Sequence, residues 1–550
     1  MQAILRCAHA TTFVSLNTIS NGKYDAIIIG GGHNGLVAAA YLARAGKKVL
    51  VLERRYVLGG AAVTEEIIPG FKFSVCSYVV SLLRPEIIRE LDLPRHGLEI
   101  LPLDGTFTPM HSGDYLWRMD DHGKSRREIA RHSKLDAEAY EEFGKAMHQL
   151  CKFVKPIMNM VPPDPTSLNP KDWSKLLFLG KRFQQLPRED RYNIVQLMTM
   201  SAADFLDQWF ETDVLKATMS ASGIIGTFLG IRSPGTAYVL LHHYMGEIDG
   251  AFRAWGLPRG GTGAISNSIA AAAREAGVEI RTETPVAKIL VKNGKATGVA
   301  LENGDEFHAQ VISSCCDPNL TFLKFVGREN LPDDFVTEVM RYKYRGSSGK
   351  VNIALEGLPD FKALPGVGRH LRGAVSISPS MEYMERAYDD AKYGRFSRRP
   401  YIDIVFPSLT DPSVAPPGKH TMSCFVQYAP YKLSEGTWDE KREAFGDTVV
   451  ETISEHAPNL KSLIVGRQVL TPLDIERDFG LTEGNIFQGE LSLEQLFFLR
   501  PVAGWARYNT PIKNLYLCGS ATHPGGGIMG APGRLAALKM LADWKKGVVA

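Results

Sequence analysis

The sequence predicts an α/β protein of two domains: a discontinuous Rossmann-like nucleotide domain and a second domain of mixed sheet and helices. Three observations carry this. A strand, a glycine turn, a helix and a second strand follow one another from Tyr24 to Glu53. A long helical stretch then interrupts that rhythm. Short strands return after Gly260 and end in a strand, a glycine loop and a helix at the C-terminus.

Tyr24-Asp-Ala-Ile27-Ile28-Ile29 is a short apolar run leading into Gly30-Gly31-Gly32-His33-Asn34-Gly35, and Leu36 to Ala45 is rich in helix formers with Gly46 to stop it. Lys47 to Glu53 supplies the next strand. Residues from about 70 to 255 carry helical patterning, broken by Val161-Pro-Pro-Asp-Pro165 and by Ser167 to Pro170, and read as a largely helical insertion. Gly260-Gly-Thr-Gly-Ala264 opens a helix through Arg274, Gly277 stops it and Val278 to Ile280 begins a strand. A meander follows, from Val286 to Val291, Ala296 to Glu302 and Glu306 to Ser313, with turns at Asn293-Gly294 and Asn303-Gly304. Runs such as Lys350 to Leu355 and Tyr401 to Phe406 predict a second sheet. The last unit is Leu515 to Gly519, a glycine loop and a helix from about Gly530 to Lys545. The expected division is therefore a leader over 1–23, a nucleotide domain from 24–70, 255–325 and 495–545, and a substrate or cap domain from 71–254 and 326–494.

The bulk numbers suit a soluble globular chain: 550 residues, 44% hydrophobic, 22% charged, net charge +3. The densest basic run, Lys124-Ser-Arg126-Arg127, leads into an acidic and apolar pattern and reads as a solvated helix face, so no nucleic-acid partner is expected. No apolar stretch is long enough for a spanning helix, which leaves only peripheral membrane contact. The cysteines, Cys7, Cys76, Cys151, Cys315, Cys316, Cys424 and Cys518, form no C-x-x-C pair and no zinc spacing, which implies a reducing compartment and no metal site. Residues 1–23 hold Arg6, Lys23, several Ser and Thr and no acid, the composition of a mitochondrial transit segment. That places the protein in the matrix, or at the inner membrane face.

Gly30, Gly32 and Gly35 stand in G-x-G-x-x-G order between strand and helix. The first makes the turn, the second lets backbone approach a pyrophosphate, and the third packs helix on strand. The pyrophosphate then sits on the amides and positive dipole of the helix N-terminus. Glu53, ending the second strand and followed by Arg54, is placed to accept from the adenosine ribose hydroxyls. Gly525-x-Gly527-x-x-Gly530 matches the same letters, but no strand follows it; it reads as a loop bringing backbone, and the helix beginning near Gly530, close to a bound ring.

With Gly59-Gly60-Ala61-Ala62 six residues past Glu53, Val286 opening its strand, and Leu515 to Gly527 at the C-terminus, the sequence resembles the phytoene-desaturase-like branch of the FAD-dependent amine oxidase and Rab-escort superfamily. The resemblance covers nearly the whole chain after residue 24. It implies FAD as cofactor, with Gly59 and Gly60 against the diphosphate, the Val286 backbone at the adenine, and Gly519 with Ser520 at the ribityl and pyrophosphate end. Many relatives have Gly-Gly-Arg where this chain has Gly60-Ala61, and an acid where it has Ser520, so two charged contacts to FAD are missing here. Nothing matches a covalent attachment site, and noncovalent FAD is expected.

His523 lies inside the glycine loop expected beside the flavin and is the candidate catalytic residue, against a structural part in the loop. His242 and His243 are adjacent, so their side chains diverge and do not share a metal. Trp173, Leu176, Leu177, Phe183 and Leu186, with Lys175, Lys181 and Arg182, fit either an interfacial helix or core packing of the insertion, and core packing is the reading adopted. The expected function is an FAD-dependent dehydrogenase or desaturase that moves a hydride from a small apolar substrate to flavin. The alternative is a non-catalytic FAD-binding protein that holds a protein or lipid partner, a choice that fold alone does not make.

Overall fold

The computed structural model describes residues 24–549; the leader expected over 1–23 lies outside the described residues. Strand Tyr24–Ile29 pairs in parallel with Val49–Leu52 on one side and with Glu306–Ser314 on the other. Glu279–Arg281 adds outside Val49–Leu52, and Leu515–Leu517 outside Glu306–Ser314, again in parallel. Helices cover both faces of such a sheet, which is why Ile27, Ile28 and Ile29 form a continuous apolar run and are all buried. Each contributes about 1.5–3 kcal/mol by leaving water. The first half of Glu306–Ser314 leaves this parallel arrangement and pairs antiparallel with Lys295–Leu301, which pairs with Val286–Lys292. The turn between those last two strands has Asn293 and Gly294 both at positive φ, 52° and 70°, as a two-residue hairpin connection requires.

Helix His33–Arg44 runs back over this sheet and packs against Gly263–Glu275 and Ala531–Lys545. Its Ala38, Ala39 and Ala40 are fully buried, and their small side chains let the three helices approach closely. Three segments far apart in the chain thus close one nucleotide-binding layer.

The second sheet runs in the order Ile464–Leu470, Ser348–Leu355, His420–Gln427, Tyr401–Val405, Ala374–Ile377, Thr106–Pro109, Tyr115–Arg118. All its pairings are antiparallel except that of Ala374–Ile377 with Thr106–Pro109. This corrects the reading of 70–255 as largely helical. Residues 106–118 are a hairpin completing a sheet whose other strands lie beyond residue 347, and the long helices begin only after it, from His122 onward. Strands of four residues leave too little alternation to be told from loop. From Lys134–Met158 to Thr236–Tyr244 the insertion is helical, with a core of its own built on Phe143, Met147, Leu150, Phe205 and Leu240.

A second correction concerns helix Pro170–Gln185. Phe183 and Leu186 pack on the helical core, but Trp173, Leu177 and Phe178 are 48%, 70% and 46% exposed. Core packing therefore describes only its C-terminal end. Among the described residues no helix is long and apolar enough to cross a membrane.

Candidate functional site

The glycine turn and the helix behind it form a cradle whose shape asks for a ligand. Gly30 has φ +94°, and an added Cβ on Gly35 would fall 2.4 Å from the Gly30 carbonyl oxygen, so both are demanded by the chain itself. Gly32 is different. Its φ is −66°, open to any residue, and a Cβ there would meet only the Cys315 Sγ, at an ordinary 3.5 Å. The space above Gly32 is kept clear of protein. Gly59 pairs with Gly32 as a parallel bridge and donates to the Gly31 carbonyl at 2.9 Å, which lays Gly59, Gly60 and Ala61 along the same opening. Helix His33–Arg44 has no side-chain cap and no acid in its first turn, so its N-terminal dipole faces the opening uncompensated.

The second helix N-terminus arrives from the other end of the chain. A Cβ on Gly533 would lie 2.0 Å from the Asn34 carbonyl oxygen, so Ala531–Lys545 begins directly against the start of His33–Arg44. Asn34 Nδ2 donates to Ser520 Oγ at 3.0 Å, while Asn34 Oδ1 and His33 Nε2 are buried without partners. Burial alone lowers the His33 pKa to about 4. Glu53 accepts from the Gly31 amide at 2.7 Å and from the Arg55 amide at 2.9 Å. A carboxylate has about four acceptor positions, so two remain for ribose hydroxyls. Open glycines, orphaned polar atoms and an incompletely used acid together fit a dinucleotide.

Not every residue expected at the cofactor is gathered here by its side chain. Ile27, Ile28 and Ile29 are core, and what they offer is the backbone that feeds Gly30. The Arg54 guanidinium donates to the Arg477 and Asp478 carbonyls at 3.0 and 2.7 Å, closing the C-terminal end of helix Pro472–Phe479. Val286 begins its strand two residues after Thr284, whose amide donates to the Glu53 carbonyl at 2.8 Å, so its backbone lies on the Glu53 side. Cys315 lies under the turn. Its thiol, hydrogen-bonded with Cys518 and buried, is held well above the usual range and stays protonated, which makes it a poor nucleophile.

The glycine loop carries Gly525, Gly527 and Gly530 at φ +120°, +108° and +71°, and a Cβ on Gly527 would fall 2.7 Å from Leu82. His523 is 1% exposed; its Nε2 bonds to the Ile157 carbonyl at 2.9 Å, and its Nδ1 has no partner. Burial lowers its pKa to about 4, so it is neutral. His242 and His243 are also buried and neutral, and among the described residues no cluster of metal-ligating side chains occurs.

Three buried cations escaped the reading of the sequence. Arg500 is fully buried and donates to the carbonyls of Phe487, Gly489, Glu490, Gln495 and Ser520 at 2.9 to 3.3 Å, pinning the 487–495 loop to the end of strand Leu515–Leu517. Lys350 donates to the Ser74 carbonyl at 2.8 Å, and burial lowers its pKa to about 8. Arg118 faces a cavity of about 680 Å³ between the second sheet and the helical insertion, with Tyr78, Phe143, Ile225, His243 and Trp255 also on its walls. The cavity's inner end approaches the glycine loop. The ring of His243 lies 6.1 Å from that of Phe487, and Phe487 packs so closely on the loop that a Cβ at Gly526 would fall 2.4 Å from it.

A dinucleotide cradle closed by two helix N-termini, with a second domain whose cavity is parted from the glycine loop by Phe487, defines a two-domain flavoprotein oxidoreductase. The chain belongs to the flavin containing amine oxidoreductase family, whose model matches residues 35–533. It is 40% identical, over 99% of both chains, to pyridine nucleotide-disulfide oxidoreductase domain-containing protein 2 of Rattus norvegicus. It is 28% identical, over 94% of both chains, to one of the subunits of limonene dehydrogenase from Castellaniella defragrans. Its fold matches that of cyclohexylamine oxidase from Brevibacterium oxydans with a TM-score of 0.56 and 17% identity, covering 96% of this chain and 99% of that one. The cofactor that the cradle accommodates is FAD, and the protein is an FAD-dependent oxidoreductase.

Proposed function

We propose that the protein dehydrogenates a small organic substrate with a largely apolar body, held in the cavity between the second sheet and the helical insertion, using noncovalent FAD in the mitochondrial matrix. The observation that carries this reading is the cavity itself. Its volume, about 680 Å³, falls in the range of small-molecule sites, and its inner wall reaches the glycine loop through Phe487. Held by the cradle of Gly32, Gly59, Gly60 and Glu53, FAD would supply two-electron acceptor chemistry for a substrate C–H bond. The chain's own residues bind and orient: Phe143, Ile225 and Trp255 offer apolar walls, and buried His243, whose pKa burial lowers to about 4, stays neutral at the inner end. His523 does not line this cavity, and its bond to Ile157 gives it a positioning part rather than a catalytic one.

The exposed Trp173, Leu177 and Phe178, with Lys171 and Lys181 on the same helix, support a peripheral contact with a membrane surface. Matrix delivery rests on the composition of residues 1–23, and a reporter carrying them that stays cytosolic ends that part. The main test is the visible spectrum of the purified protein followed by an anaerobic screen of organic substrates for flavin bleaching. Yellow protein bleached by a C–H substrate and not by NADPH is expected. Rapid stoichiometric bleaching by NADPH, or a colourless protein that does not take up FAD, ends the reading.

A further inference from the structure

The cavity is not lined by apolar residues alone. Arg118 and Arg253 both face it, and neither has a carboxylate within ion-pair distance among the described residues. Arg118 is only 8% exposed, and its Nε and Nη1 are buried without a hydrogen-bond partner. Arg253 donates from Nη1 to the Tyr140 hydroxyl at 3.1 Å and lies 4.5 Å from the centre of the Tyr244 ring. Two guanidinium groups facing one space repel each other, and burying such a charge without a counter-ion is costly. Arg118 registers this, its pKa lowered by burial and then by the charge of Arg253. Arg253 is answered within the site, where against burial Tyr140, Tyr244 and Asp120 raise its pKa, and Arg118 is left as the cation with unpartnered nitrogens. Asp403 accepts from Tyr78 at 2.6 Å, and burial raises its pKa to about 6; Asp120 is exposed at the rim; Glu141 pairs with Arg126 and Lys145 at 3.1 and 3.2 Å.

From this arrangement we infer that the substrate is amphipathic, a carboxylic acid whose carboxylate is clamped by Arg118, Arg253 and Tyr140 while its apolar body runs past Phe143, Ile225 and Trp255 toward His243. Guanidinium forks match a planar carboxylate, and the phenol offers a further donor or acceptor at the same point. On this inference the acid is an address, and the carbon to be oxidised lies on the His243 side of the cavity, toward Phe487 and the glycine loop. This narrows the expectation of a small apolar substrate to one with a charged end, and it rests on reading the cavity as the substrate site.

The test is calorimetric titration of the FAD-loaded protein with dodecanoate, dodecanol, dodecylamine and dodecyl phosphate. Dodecanoate is expected to bind at least ten-fold more tightly than dodecanol, with dodecylamine weakest. Arg253→Met and Arg118→Met should each collapse that acid-over-alcohol ratio at least five-fold with flavin absorbance retained. Equal binding of acid and alcohol to the unmodified protein overturns the inference even if the buried Arg118 variant fails to fold. Dodecyl phosphate binding ten-fold more tightly than dodecanoate overturns the carboxylate in favour of a phosphate ester. Because binding is read without turnover, a yellow protein with no headgroup preference sinks this inference alone, while a clear preference without any substrate-driven bleaching sinks only the oxidoreductase reading of the cavity.

Discussion

Gly32 separates the needs of the fold from those of the cofactor. Its backbone conformation is ordinary and a Cβ has room among the protein atoms, so Gly32→Val should leave the unfolding midpoint of the apoprotein nearly unchanged, within about 0.5 kcal/mol. The same methyl groups project into the opening beside Gly59, and FAD occupancy after purification should fall at least ten-fold. Undiminished flavin absorbance in a folded Gly32→Val protein would falsify the cradle. Glu53→Ala is a less clean probe, because Glu53 also accepts from the Gly31 and Arg55 amides, and losing two buried acceptors costs about 1–3 kcal/mol. His523 tests a second distinction. As a latch on the Ile157 carbonyl it ties the glycine loop to helix Lys134–Met158, so His523→Ala should lower the unfolding midpoint and FAD occupancy together. If the variant instead keeps its flavin and midpoint and only slows anaerobic flavin reduction, the residue acts on substrate and the positioning part given to it is wrong.

At the scale of elements, legibility in the sequence followed the distance over which a pattern is set. The parallel strands were readable because burial on both faces writes a continuous apolar run, and the meander because Asn293-Gly294 announces its turn locally. The hairpin at 106–118 was not, since Thr106 finds its sheet partner at Ala374, and nothing near Thr106 records that pairing. Arg500 was invisible for the same reason: its acceptors belong to the 487–495 loop and to Ser520, and only the folded loops bring five carbonyls round one guanidinium. Arg118 and Arg253 meet from a strand and from a loop on the far side of the helical insertion. The helix Pro170–Gln185 failed differently, because its apolar residues divide between core and solvent and periodicity does not say which face is covered. Its exposed half makes a prediction of its own. Co-sedimentation with vesicles containing anionic lipid should exceed that with neutral vesicles. The triple variant Trp173→Ala, Leu177→Ala, Phe178→Ala should reduce it at least five-fold with FAD retained, and equal binding by the variant counts against a membrane face.

At the scale of the whole molecule, His242, His243 and His523 are buried where the helical insertion meets the glycine loop, and this shapes how the protein responds to acid. Burial lowers the pKa of His243 and His523 to about 4, and burial together with the charge of His243 lowers that of His242 to about 3. In the unfolded chain each returns to about 6.5. Between these values the unfolded chain takes up protons that the folded protein refuses, so the stabilising contribution is fully present above pH 6.5 and is lost as pH falls toward 4. Asp403 opposes this over part of the range, because its pKa is raised to about 6 by burial and the folded protein takes up that proton first. The net curve mixes both signs, and a single substitution separates them. Among the described residues neither ring nitrogen of His242 meets a side-chain partner, and the Gly526 backbone is the one polar group set against the ring, so His242→Leu removes a titrating group at little cost in hydrogen bonding. Relative to the unmodified protein, the variant should gain about 1.4 kcal/mol of stability per pH unit below 6.5, measured by denaturant unfolding between pH 7 and 4.5. A stability difference that stays constant across that interval would show that His242 is not held neutral by the fold, and that the junction around the glycine loop admits water or a counter-ion.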